Sequence, residues 1–167
     1  MQRKSNVPND CGREPGAKEC TLADLGLDPV EEQLLAITRH VFQSFAVPGT
    51  QGWLNGLALA EQAFGHDGPR LFARLVDALL AVRATRRSCF IFNSPMCPCC
   101  SKVVTEHERR LITALSAIRR GLIGRARTEL MMLCEGAEAG AVIHALVALS
   151  RHLPTPDEKK SLSIAIQ

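Results

Sequence analysis

Seven cysteines and five histidines are the side chains of this 167-residue chain best suited to chemistry. Three of the thiols, Cys97, Cys99 and Cys100, fall within the stretch Met96-Cys97-Pro98-Cys99-Cys100. Cys89 lies eight residues before Cys97, and His107 seven after Cys100. Zinc takes four thiolate or imidazole ligands in a tetrahedron, usually as two close pairs joined by a longer loop. One pair here is Cys97 with Cys99 or Cys100, and Cys89 and His107 are the nearest candidates for the other. If one helix ran from Cys100 to His107, their α-carbons would stand about 10 Å apart at ~1.5 Å per residue, at the limit of what the two side chains bridge. Thr105-Glu106-His107-Glu108 has the pattern of a capping box, which starts the helix at Thr105 and leaves the cysteines in a loop free to fold back onto His107. The expected metal set is therefore Cys89, Cys97, Cys99, Cys100 and His107, with zinc as the cofactor. An iron–sulfur cluster would need four cysteines, drawn from Cys89, Cys97, Cys100 and Cys134 at no usual spacing.

The same loop permits thiol redox chemistry. Residues 90–103, FIFNSPMCPCCSKV, resemble the active-site segment of glutaredoxins, in which a strand leads into Cys-Pro-x-Cys and then a helix. The resemblance implies Cys97 as an attacking thiolate, activated by a helix N-terminus, and Cys100 as the resolving thiol. It covers 14 of the 167 residues, and no alternation of strand and helix surrounds it. Cys11 and Cys20 stand in a polar N-terminal stretch and read as incidental thiols, with metal ligation as the alternative.

The elements that must hold this loop are helical. Asp28-Pro29-Val30-Glu31 joins an N-cap, a first-turn proline and a capping glutamate, and Val30, Leu34, Ile37, Val41 and Phe45 then recur at helical spacing up to Pro48-Gly49. Further helices are expected over 53–64, from about 69 to 85, from Thr105 to about 120, over about 122–134 and over about 138–152. Cys89-Phe90-Ile91-Phe92 is the one candidate strand. The string L-x-x-A-L-x-A recurs from Leu75 and Leu111, and loosely from Val142, as Ala- and Leu-rich helices do by chance. Aromatics are only 4% and tyrosine is absent, which suits close-packed helices rather than a sheet. The expected architecture is all-α: an antiparallel bundle of five to six helices over 21–153, with the cysteine loop at 89–107. Residues 1–20 form a loosely attached arm and 154–167 a tail.

Ten basic residues between Arg83 and Arg127 face only Glu106 and Glu108, a local charge of +8 in a chain of net +3. Arg109, Arg110, Arg119, Arg120, Arg125 and Arg127 are the candidate partner-binding residues, toward an acidic protein surface or, as an alternative, DNA. No helix-turn-helix is evident, and the stretch lacks aromatics for stacking on single strands. Neither a signal peptide nor a membrane-spanning run is visible, so the expected compartment is the cytoplasm, where clustered thiols mean metal or redox chemistry rather than structural disulfides. An excess of Ala, Gly and Arg suggests a GC-rich bacterial genome. H-E-x-x-H, G-x-S-x-G, phosphate-loop and dinucleotide fingerprints are all missing. The function expected from the sequence is a non-enzymatic, zinc-binding regulatory or interaction protein. The alternatives are a thiol–disulfide redox protein or sensor using Cys97 and Cys100, and a DNA-binding transcriptional regulator acting through the arginine-rich region 83–127.

Overall fold

The computed structural model describes residues 11–156. Among them are six α-helices: α1 (Pro29–Ala46), α2 (Gly52–Phe64), α3 (Gly68–Thr85), α4 (Glu106–Arg119), α5 (Ile123–Leu133) and α6 (Gly140–Ser150). The fold is all-α as expected. Helix α1 packs on α2, α4 on α5 and α3 on α6. None is long and apolar enough to cross a membrane.

The short ladder lies elsewhere than the sequence suggests. Strands β1 (Cys20–Thr21) and β2 (Val103–Val104) pair antiparallel, with Cys20 opposite Val104 and Thr21 opposite Val103. Residues 89–92 run extended without a ladder, because side chains take their backbone groups. Ile91 N donates to His107 Nδ1 at 2.8 Å, and Ile91 O accepts from Thr105 Oγ1 at 2.8 Å. Phe90 and Phe92 meanwhile stack on Phe42 of α1, with ring centroids 4.0 and 5.9 Å away.

Two capping boxes start the helices that matter most. Glu31 N donates to Asp28 Oδ1 (2.9 Å) and Asp28 N to Glu31 Oε2 (3.0 Å), while Glu108 N donates to Thr105 Oγ1 (3.2 Å) and Thr105 N to Glu108 Oε2 (2.8 Å). Both glutamates are 0% exposed. A buried carboxylate costs several kcal/mol unless it is paired, and each is paired by arginine from the other helix. Arg119 and Arg120, where α4 ends, reach Glu31 at 2.9 and 2.6 Å. Arg39 of α1 reaches Glu108 at 2.7 Å. These reciprocal pairs lock α1 and α4 antiparallel. The motif that repeats along the chain is thus the capping box; the L-x-x-A-L strings fall on the non-equivalent helices α3, α4 and α6.

Helix α2 turns its small residues Gly52, Gly56 and Ala60 inward, while Trp53 and Leu54 are exposed. The approach is close: a Cβ on Gly68, at the start of α3, would stand 2.6 Å from Ala60 O and 2.7 Å from Glu61 Cα. Backbone must move to accept it. Gly68→Ala is therefore expected to cost about 1–3 kcal/mol, read as a lower urea midpoint with unchanged slope. On α5, Met131 and Met132 are 50% and 59% exposed, and His144 of α6 is exposed as well, so the core packing their apolar neighbours suggest holds only for Cys134.

His40 is buried beneath α2, and its Nδ1 has no hydrogen-bond partner among the described residues. Burial holds its pKa below the usual 6.5. His107 is displaced the same way, by burial and then by Arg86. The unfolded chain takes up these protons near pH 6.5 and the folded chain only at lower pH, so stability is complete above 6.5 and falls as pH drops below it. The denaturant midpoint should decline between pH 7 and 5.5, with a smaller slope in His40→Gln.

Candidate metal centre

The cysteine loop is a tight turn. Ser101 N donates to Cys97 O at 2.9 Å, Lys102 N to Cys99 O at 3.2 Å, and Ser101 Oγ to Pro98 O at 2.9 Å. The turn brings the backbone N–H of Cys100 to 3.5 Å from Cys97 Sγ. The third sulfur arrives from far away in sequence. Cys11 Sγ lies 3.4 Å from Cys97 Sγ and 3.7 Å from Cys100 Sγ, and the three thiols are all within 4.8 Å of one another.

This cysteine cluster can hold a metal ion. Zinc with Zn–S bonds of about 2.3 Å in tetrahedral geometry keeps its sulfurs about 3.8 Å apart, a few tenths beyond the separations seen. A disulfide would require about 2.05 Å, so the sulfurs are separate thiols. They offer three ligand atoms, and no fourth described His, Cys, Asp or Glu joins the group. Soft thiolate sets of this kind select zinc, copper(I) and related ions over magnesium or calcium.

The electrostatics suit a thiolate at Cys97. The Cys100 backbone N–H, then the thiols of Cys100 and Cys11, bring the Cys97 pKa down to about 7. The hydrogen bond with Cys97, followed by burial, pushes Cys100 up to about 11. A metal would replace those protons and make its affinity fall as the solution is acidified.

Arg39 anchors the loop. Beyond Glu108, its Nη1 donates to Ser101 O at 2.6 Å and its Nη2 to Val103 O at 2.7 Å, so one buried guanidinium holds both helix α4 and the chain leaving the cysteines. Asn93 holds the chain entering them, its backbone N donating to Glu108 Oε1 (3.0 Å) and its Nδ2 to Val103 O (2.8 Å). The N-terminal arm is held more lightly. Residues 1–10 lie outside the described residues. The stretch from Cys11 is tied through β1, through Leu22 N donating to Lys102 O at 2.8 Å, and through Cys11 itself, whose N–H meets Cys99 Sγ at 3.4 Å.

Of the residues expected to ligate, Cys97 and Cys100 are brought together. Cys99 stands beside them, with its sulfur on the Cys11 backbone. Cys89 is exposed and does not join the group, nor does Cys134, which is buried at the end of α5. His107 does not join the group either. Its Nδ1 accepts from Ile91 N, which leaves the proton on Nε2, so the Arg86 Nη2 at 3.3 Å is a close approach of two donors. The helix that would flank Cys97 on the glutaredoxin resemblance is not there, since α4 starts only at Glu106 and a single 3-10 turn, Cys100–Lys102, follows the thiols. Cys11 is the residue the sequence reading passed over.

The arginines are largely spoken for. Arg119 also reaches Asp28 (2.7 Å), and Arg110 pairs with Glu106 (2.7 Å) and Glu129 (3.2 Å). Arg125 and Arg127 on α5 are exposed and carry no ion pair among the described residues. Arg86 is 3% exposed, held by Glu135 at 3.1 Å and by Leu133 O. Comparison with protein-family models, with curated proteins and with solved structures finds no match to this chain.

Proposed function

We propose that the chain is a non-enzymatic, zinc-binding regulatory protein in which one metal ion staples the N-terminal arm to the cysteine loop. The observation that carries this reading is the convergence of Cys11 with Cys97, 86 residues later, and with Cys100 at sulfur separations near those of a zinc tetrahedron. Between Cys11 and β1 the described arm adds mainly local contacts, such as Arg13 with Glu19 at 2.5 Å. Two ladder residues are too little to fix it unaided. Metal occupancy would then decide whether the arm docks. The partner in this proposal carries an acidic, amphipathic face. The outer side of α5 suits it, with Arg125 and Arg127 beside the exposed Leu122, Ile123, Met131 and Met132. DNA contact through 109–127 has less support, because Arg110, Arg119 and Arg120 are engaged within the fold.

Elemental analysis of protein purified without added metal tests the proposal, together with replacement by cobalt(II). The expected result is one zinc per chain and an intense thiolate-to-cobalt absorption. Absence of both would refute it.

A second reading, a redox sensor, is favoured by the same 3.4 Å contact. A peroxide would convert the Cys97 thiolate to a sulfenic acid and release hydroxide. The thiol of Cys11 or Cys100 would then displace water as the S–S bond forms. Peptide mapping of peroxide-treated, metal-free protein should find Cys97 in a disulfide if this reading holds, and unmodified if it does not.

A further inference from the structure

Between the C-terminal ends of α1 and α3 and residues 88–92 lies a cavity of about 320 Å³, within the usual size range for small-molecule sites. Its lining includes Phe42, Phe45, Phe90 and Phe92, four of the six phenylalanines in the chain. Phe42 is buried in the core, and Phe45, Phe90 and Phe92 pack against it while remaining half-buried, so their outer surfaces form the wall of the opening. The rings are already arranged for stacking. Phe42 and Phe90 lie parallel, 8° apart, while Phe45 meets Phe42 edge-on at 85°.

Three arginines, Arg83, Arg86 and Arg87, share the lining. Glu135 answers Arg86, but Arg83 and Arg87 have no side-chain ion pair among the described residues. The Arg83 guanidinium lies over the Phe45 ring at 4.4 Å. That leaves its N–H edge for an anion while its face stays stacked. We propose that this pocket binds a small molecule consisting of a planar aromatic ring and one anionic group, carboxylate or phosphate. The ring lies against the phenylalanines and the anion is held by Arg83 and Arg87. The proposal does not depend on metal at the thiol cluster.

The test is calorimetric titration of the full chain with 2-naphthoate, 2-naphthyl phosphate, 2-naphthalenemethanol and acetate, with amide shifts recorded in parallel. One naphthoate or naphthyl phosphate per chain is expected, shifting the amides of residues 87–92, and the better of the two anions identifies the head group. The neutral alcohol and the ringless acetate should bind at least about tenfold more weakly, as should either anion to Arg83→Gln or Arg87→Gln, since a hydrogen bond to a charged group is lost. Equal binding of the neutral alcohol, indifference to both arginine substitutions in variants that melt normally, or shifts confined to another surface would overturn the proposal.

Discussion

Stripping the metal with a chelator is expected to release residues 11–19 and the turn at 97–100 while α2 and α3 stay protected. The arm's described ties include two ladder residues, Leu22 N donating to Lys102 O, the exposed Lys18–Glu106 pair at 3.8 Å and the packing of Cys20 and Leu22 on the core; each amide hydrogen bond adds only about 0.5–1.5 kcal/mol net and an exposed ion pair about 0–1 kcal/mol. Structural zinc, by contrast, binds small peptides with apparent free energies of roughly 10–16 kcal/mol, comparable to the ~5–15 kcal/mol that stabilises a whole domain. With free zinc about 1,000-fold above its Kd, occupancy adds about 4 kcal/mol. In a domain of this size that corresponds to a melting shift of roughly 8–16 °C. Hydrogen exchange with and without chelator reads the local release, and a melting curve reads the shift.

Arg39→Leu is expected to be the most damaging single substitution outside the thiols. It would leave the fully buried Glu108 carboxylate without its cation and take one donor each from the carbonyls of Ser101 and Val103, the second of which keeps Asn93. Breaking a buried pair from one side costs about 3–5 kcal/mol, which is roughly 6–20 °C in melting temperature for a domain of this length. Arg39→Lys should not rescue it, because four donated bonds to three acceptor groups need the planar fork. The same variant should lose roughly 10- to 100-fold in zinc affinity, as substitutions behind metal ligands do. A variant that melts normally yet binds zinc weakly would separate the two roles, whereas normal values for both would show that Arg39 does not position the loop.

The helices were legible because their signals are local. Asp28 with Glu31 and Thr105 with Glu108 are capping boxes in sequence and in space, and the apolar spacing of α1, α3 and α4 fixes their inner faces. The close pair Cys97 and Cys100 was legible for the same reason. What escaped depends on long-range placement. Cys11 sits in a polar, aperiodic stretch, and nothing within it announces a sulfur contact 86 residues on. The imidazole of His107, near the thiols along the chain, is instead claimed by the backbone of Ile91. The arginine-rich third looked like an open basic face because its acids, Asp28 and Glu31, are about 90 residues away in sequence and meet Arg119 only once α1 and α4 pack. Phe90 and Phe92 read as a strand by propensity, but stacking on Phe42 uses their side chains and the neighbouring side chains use their backbone.

The most direct measurement is the zinc affinity of Cys11→Ser beside those of Cys89→Ser and His107→Ala, by competition with a chromogenic chelator. Cys11→Ser is expected to lose zinc binding, while the other two keep wild-type affinity and one ion per chain. Retention of zinc by Cys11→Ser together with its loss from His107→Ala would contradict a metal held by Cys11, Cys97 and Cys100.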